Sequence, residues 1–133
     1  METPLFKKIL FPLQFDRIAI PALEMLTHMI RNGDRFVYLM CVIPEDAQEI
    51  RQLANDALRA VAVKWLEGKG PYQTVVRIGK PADEIVKAEE ELGVDLVLMA
   101  THGRTGEKYE KLGSVAEQVV RESTRPVLTI RPT

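Results

Sequence analysis

Two hydrophobic patterns alternate along the chain. Short runs rich in β-branched and apolar residues, read as strands, occupy Lys8–Leu13, Arg35–Ile43, Thr74–Ile78, Val94–Ala100 and Val127–Ile130. Leu96-Val97-Leu98-Met99 is uninterruptedly apolar, as expected of a parallel strand covered on both faces. Between the runs, apolar residues recur every three or four positions, the helical spacing. The first helix carries Ala19, Ala22, Leu23, Leu26 and Ile30, with Asp16 as its N-cap, Pro21 near its first turn and Gly33 as its stop. The second carries Ile50, Leu53, Ala57, Val61 and Trp65 and ends at Gly68. The third begins around Pro81, carries Ile85, Ala88 and Leu92, and ends at Gly93. The fourth begins at Ser114 with Glu117 three residues on, the spacing of a capping box. It carries Val115, Val119 and Val120 and stops before Pro126.

The order β-α-β-α-β-α-β-α-β predicts an α/β fold, a parallel sheet with helices on both faces. Right-handed crossovers make it doubly wound. The 133 residues fit a single domain, 1–133. Apolar residues at 46% and charged residues at 28% describe a globular chain. Lys+Arg (18) against Asp+Glu (19) leaves a net charge of −1, which argues against a dedicated nucleic-acid binder. The single cysteine, Cys41, excludes an intramolecular disulfide and a Cys-rich zinc site. No apolar run approaches the ~18 residues that read as a membrane span. Near the N-terminus, Ile9-Leu10-Phe11 is broken at once by Pro12, Gln14 and Asp16, too short for a signal-peptide core. A reducing, cytoplasmic location is the expectation.

In an open parallel sheet, ligands sit at the carboxyl ends of the strands. The segments to examine are therefore Pro12–Asp16, Val42–Pro44, Gly79–Pro81 and Met99–Ser114. The last is the most informative. Gly103 permits a sharp turn and a close approach to the backbone. Gly113-Ser114 opens a helix whose free N–H groups and positive dipole end attract anions such as phosphate. Ser114 adds a hydroxyl. Arg104, Lys108 and Lys111 lie in the solvated loop Thr101–Leu112, placed to meet phosphate charge. The same Gly-Ser pair also serves for ordinary helix capping.

With Ala100-x2-Gly103-x9-Gly113-Ser114 the chain resembles the universal stress protein family, whose motif is G-x2-G-x9-G-[ST]. The resemblance runs from Lys7 to Arg131. Lys8-Ile9-Leu10-Phe11-Pro12, Gly79-Lys80-Pro81 and Gly113-Ser114-Val115-Ala116-Glu117 add local matches. It implies five strands in the order 3-2-1-4-5 with four helices, an adenine nucleotide alpha hydrolase-like fold. It also implies one of two groups, members that bind ATP through this motif and members that do not. Carried over by position, Pro12 and Val42 would border the adenine. Met99 and Ala100 would line the ribose side. Gly103, Gly113, Ser114 and Val115 would hold the phosphates through backbone N–H groups. Two positions depart from the pattern. Ala100 replaces the first glycine, a small methyl that a negative φ accommodates. Gln14 stands where similar ATP-binding members carry an aspartate. It can hydrogen-bond a ribose hydroxyl or base but supplies no anionic ligand to magnesium.

Other chemical signals are weaker. His28 falls on an exposed helix face with Glu24 and Arg31. His102 reads as stabilising its loop by a hydrogen bond. Cys41 reads as a buried, inert apolar residue. Glu89-Glu90-Glu91 and Asp83-Glu84 read as a solvated face of the third helix, and Asp95 as a loop or edge residue. No G-x4-G-K-[ST] loop occurs, and no G-x-G-x-x-G follows the first strand. The strand ends lack the clustered aspartates of a receiver domain. The expected function is ATP binding with a signalling role and no catalysis. Its rivals are a nucleotide-free dimeric interaction protein of the same fold and a slow ATPase or phosphotransfer enzyme. In the order 3-2-1-4-5 the last strand, Val127–Ile130, is an apolar edge, and it is the expected homodimer interface.

Overall fold

The computed structural model describes residues 5–14, 20–101 and 113–131. Nine elements alternate as expected: β1 (Lys8–Pro12), α1 (Ile20–Ile30), β2 (Phe36–Ile43), α2 (Gln48–Trp65), β3 (Tyr72–Ile78), α3 (Pro81–Leu92), β4 (Leu96–Ala100), α4 (Ser114–Glu122) and β5 (Val127–Ile130). The five strands form one sheet in the order β3-β2-β1-β4-β5, and every pairing is parallel. β1 thus lies at the centre, and the chain leaves the β1–β4 boundary in opposite directions.

Each face of the sheet has its own apolar layer. Ile9, Phe11, Leu39, Cys41 and Leu98 pack with Leu23 and Leu26 of α1 and Leu58 and Ala62 of α2. Leu10, Met40, Val97 and Met99 pack with Ile85 and Ala88 of α3 and Ala116 and Val119 of α4. The alternation of side chains along each strand sends successive residues into the two layers. Right-handed crossovers explain the assignment. β1→β2→β3 runs one way across the sheet and β3→β4→β5 the other, so α1 and α2 share one face and α3 and α4 the opposite one.

Local boundaries shift for identifiable reasons. β3 starts two residues before the expected Thr74, because its ladder with β2 begins at Val37↔Tyr72. β4 starts at Leu96 and not at Val94. The N–H of Val94 is used to close α3 on the carbonyl of Glu89 (3.1 Å), after Gly93 has turned the chain with φ +66°. Asp95 then joins β1 from outside the ladder: its N–H donates to the Lys8 carbonyl (2.8 Å) and its Oδ2 accepts the Lys8 N–H (2.9 Å). It is the loop residue expected.

Three expectations about helix faces need correction. In α2 the buried residues are Ala54, Leu58, Val61 and Ala62, and Leu53 is 69% exposed. Leu53 is five residues from Leu58, about 140° of helical rotation, and so points away from the sheet. In α4 the inward residues are Ala116 and Val119, whereas Val120 is exposed. In α3, Glu89 is fully buried instead of belonging to a solvated acidic face; Glu90 and Glu91 are exposed. It follows Ala88 on the side of α3 that faces α4. The proposed N-cap Asp16 and the stripe residue Ala19 lie outside the described residues.

Candidate functional site

The carboxyl ends of β1, β2 and β4 and the start of α4 converge on one rim of the sheet. Pro12 closes β1 opposite Met40. The Leu13 N–H extends that ladder by donating to the Met40 carbonyl at 2.7 Å, and Gln14 follows, exposed. Val42 lies one residue from the end of β2, half-buried against the α3–α4 layer. Met99 is buried in that same layer, and Val115 packs on it from α4. Pro12 shares the orientation of Leu10, two residues earlier in the strand. Pro12, Val42, Met99 and Val115 therefore border a common face.

Ala100 does not join them. Its methyl packs against the α1–α2 layer on the far side of the sheet. Among the described residues other than glycine, only Phe6 has a positive φ, so Ala100 sits in ordinary extended backbone. The side chain at this position therefore does not intrude on the face shared by Met99 and Val115.

The start of α4 is held by a residue that the sequence reading passed over. Thr101, buried immediately after β4, donates its N–H to the Ile130 carbonyl (3.0 Å), and its hydroxyl reaches the same oxygen (3.4 Å). Its own carbonyl accepts the Gly113 N–H at 2.9 Å. One residue thus fixes the ends of β4 and β5 and the start of α4. A hydroxyl residue directly after an all-apolar strand was its only sequence signal.

Gly113, and not Ser114, is the N-cap of α4. It has extended backbone (φ −67°, ψ 160°), and its carbonyl accepts the Glu117 N–H at 2.8 Å. Ser114 is the first helical residue, and the N-cap glycine has no side chain with which to cap the helix. The expected capping box is therefore absent. Tethering of Gly113 to Thr101 sets the first helical bond one residue earlier than Ser114, and the Glu117 carboxylate instead takes Arg121 (2.6 Å). The consequence is chemical. Among the described residues the N–H groups of Ser114, Val115 and Ala116 donate to no backbone carbonyl outside the helix, and a helix offers none to its first turn. Three aligned donors at a positive dipole end make a candidate anion seat, with the exposed Ser114 hydroxyl beside them.

The neighbouring rim is braced. The Gly79 N–H donates to the Ile43 carbonyl (2.9 Å), and Gly79 has φ +143°, with space for a Cβ only 3.0 Å from the Glu84 side chain. Glu84 pairs with Arg77, which also holds Glu91. Asp83 accepts from Gln118 Nε2 at 2.9 Å and links α3 to α4 close to the seat. Burial pushes the Cys41 thiol up to about 11, in keeping with an inert residue. His28 is exposed on α1. Gly103, Arg104, His102, Lys108 and Lys111 lie outside the described residues. Among the described residues no group of three or more His, Cys, Asp or Glu is arranged to hold a metal ion. No described helix is long and apolar enough to cross a membrane.

Comparison with known proteins agrees with this architecture. The profile of the universal stress protein family matches residues 5–131. Universal stress protein MJ0577 of Methanocaldococcus jannaschii is 32% identical, with 96% of each chain covered. The solved structure of MJ0577 superposes with a TM-score of 0.86 at 28% identity, over 98% of this chain and 99% of that one. Two more distant structures share the fold. One is a universal stress protein in complex with cAMP (TM-score 0.69, 19% identity, 98% of this chain and 100% of that one). The other is the universal stress protein from Archaeoglobus fulgidus in complex with dAMP (TM-score 0.65, 21% identity, 96% and 99%).

Proposed function

The chain belongs to the universal stress protein family, and on that premise we propose that it is an adenine-nucleotide-binding regulatory module that acts by occupancy and not by turnover. The observation that carries this reading is the first turn of α4. Among the described residues its three leading N–H groups have no partner, and they fit a phosphate at the rim where Pro12, Val42, Met99 and Val115 leave an apolar border for a base and sugar. That two proteins of the same fold bind cAMP and dAMP supports an adenine nucleotide as the ligand class.

ATP is the proposed nucleotide, with its phosphates on the N–H groups of Ser114, Val115 and Ala116 and with Gly103 and Arg104 completing the seat. Contrary to expectation, Gly113 lines it without donating, because its N–H is held by the Thr101 carbonyl. Ala100 takes part through its backbone, since its methyl lies on the other face. Gln14, exposed at the end of β1, offers neutral hydrogen-bonding groups to a ribose or base. Because it supplies no carboxylate, binding is expected to depend little on magnesium. Equilibrium titration of the purified protein with ATP, with and without magnesium, tests the reading. Saturable 1:1 binding supports it, and no heat or shift at millimolar ATP overturns it. Accumulation of ADP with time would overturn the absence of turnover.

A second feature favours a homodimer, with or without nucleotide. Among the described residues β5 pairs with β4 alone and its other edge has no strand beside it, with Leu128 exposed. A second copy pairing along this edge is the proposed partner. A reducing cytoplasmic setting and a surface without nucleic-acid partners complete the proposal. The unpaired, buried Cys41 and the net charge of −1 are in keeping with both.

A further inference from the structure

At the end of α3 far from the anion seat, a carboxyl group is buried with no salt bridge among the described residues. Glu89 is 1% exposed. Its Oε1 meets the hydroxyl of Ser123, the residue that ends α4, while its Oε2 is buried with no hydrogen-bond partner among the described residues. Buried charges are normally paired, and an unpaired one is costly.

The protons around Ser123 can be counted. Its Oγ accepts the Arg125 N–H (3.2 Å) and lies 3.0 Å from the Arg125 carbonyl, which can only accept. A hydroxyl has one proton. If it goes to the Arg125 carbonyl, the contact with Glu89 needs a second proton, and that proton belongs on Oε1. The chain Glu89 O–H → Ser123 Oγ–H → Arg125 O=C then satisfies every donor. With an ionised Glu89, the hydroxyl must turn to the carboxylate and abandon the Arg125 carbonyl, and Oε2 is left as a buried charge without a partner.

We infer that Glu89 and Ser123 form a proton-operated tie between the ends of α3 and α4, closed while the Glu89 carboxyl holds its proton and loosened when it is lost. The charged groups around it are few. The Ser123 hydroxyl and then Arg125, from the α4–β5 turn, favour the ionised form, Arg125 through its backbone N–H first and its guanidinium charge second. The N–H also reaches Ser123 Oγ (3.2 Å), and the guanidinium is engaged by the Val94 carbonyl (3.0 Å) and the Thr124 hydroxyl (2.9 Å). Glu90, on the same helix, opposes ionisation, and α4 contributes only the neutral Ser123. Desolvation is the largest influence and raises the Glu89 carboxyl above its ordinary value. The tie is therefore at full strength below the ordinary glutamate value and is lost as pH rises through the higher folded value. α4 has nine residues and is tethered at its other end by Gly113 to Thr101. Releasing one end of so short a helix alters how firmly the other is held.

Two measurements on the full chain test this. The carboxyl carbon of Glu89, followed by NMR against pH, should titrate with a midpoint clearly above 4.5, the ordinary value. A midpoint at or below it overturns the proposal. Thermal midpoints and amide-exchange protection of the last turn of α4 should be recorded from pH 5 to 9 for the parent and for Glu89→Gln. The parent should lose protection relative to the variant, approaching about tenfold per pH unit, the limit for one proton. Parallel profiles would overturn it. The NMR titration uses only the parent, so a poorly folding variant does not remove the test.

Discussion

The Thr101 carbonyl and the Gly113 N–H, 2.9 Å apart, join the end of β4 to the start of α4. This single bond sets Gly113 as the N-cap and so places Ser114, Val115 and Ala116 in the first turn, where a helix offers their N–H groups no carbonyl. It also leaves Gly113 in backbone that any residue can adopt, φ −67° and ψ 160°.

Substitution Gly113→Val should therefore preserve the fold while crowding the anion seat with a branched side chain. ATP affinity should fall at least tenfold, about 1.4 kcal/mol, with a circular dichroism spectrum like that of the parent. Isothermal titration checks it. Unchanged affinity in a folded Gly113→Val protein would place the phosphates elsewhere.

Gln14 and Ala100 both depart from the family motif, yet their geometry predicts different consequences. Gln14 is exposed beyond β1 on the rim. Gln14→Asp adds a hard anionic oxygen of the kind magnesium prefers, so ATP binding should tighten only when the metal is present. The Ala100 methyl packs on the α1–α2 side. Ala100→Gly should leave ATP affinity nearly unchanged and cost roughly 0.5–1 kcal/mol of stability. If the double variant binds ATP tenfold more tightly than Gln14→Asp alone, the methyl does limit binding and its assigned face is wrong.

The two readings of α2 also separate by mutation. Leu58 is fully buried in the α1–α2 layer and Leu53 is exposed. Leu58→Ala should cost about 2–5 kcal/mol, and Leu53→Ala should stay within ~0.5 kcal/mol. Urea denaturation of both variants measures this, and equal losses would contradict the helix orientation.

α2 shows where the sequence stops being legible. Periodicity locates a helix reliably. Choosing its inward face is harder where apolar residues such as Leu53, Ala57, Leu58 and Val63 surround most of it. β4 posed no such problem, since every residue of Leu96–Met99 is apolar and all are buried. Glu89 was misread for a related reason. Composition marks a glutamate as solvated, and only the approach of Ser123 across 34 positions shows otherwise. The start of α4 was legible at Gly113-Ser114. The role of Thr101 was not, because it depends on strand β5, 29 residues away, meeting β4 in register.

The outer edge of β5 yields the sharpest test of assembly. The Pro126 carbonyl accepts the Val97 N–H and the Ile130 carbonyl accepts the Thr101 N–H. Backbone groups alternate in direction along a strand. The even-numbered residues of β5 therefore address β4, and Val127 and Thr129 present their N–H and C=O groups outward. Thr129→Pro removes one of these outward N–H groups and leaves the β4 ladder intact. Leu128→Lys places a charge on an exposed position of the same strand. If two copies pair along this edge, each variant should be a folded monomer by light scattering while the parent is a dimer. Antiparallel pairing about a two-fold axis would bring each Thr129 N–H to the partner strand, so one substitution is felt twice in the dimer. β5 is only four residues long, so such a ladder has few outward groups to use. Loss of a single outward N–H should then shift the equilibrium measurably. A parent that is monomeric at high micromolar concentration would rule out the dimer, and dimers that persist in both variants would move the interface away from β5.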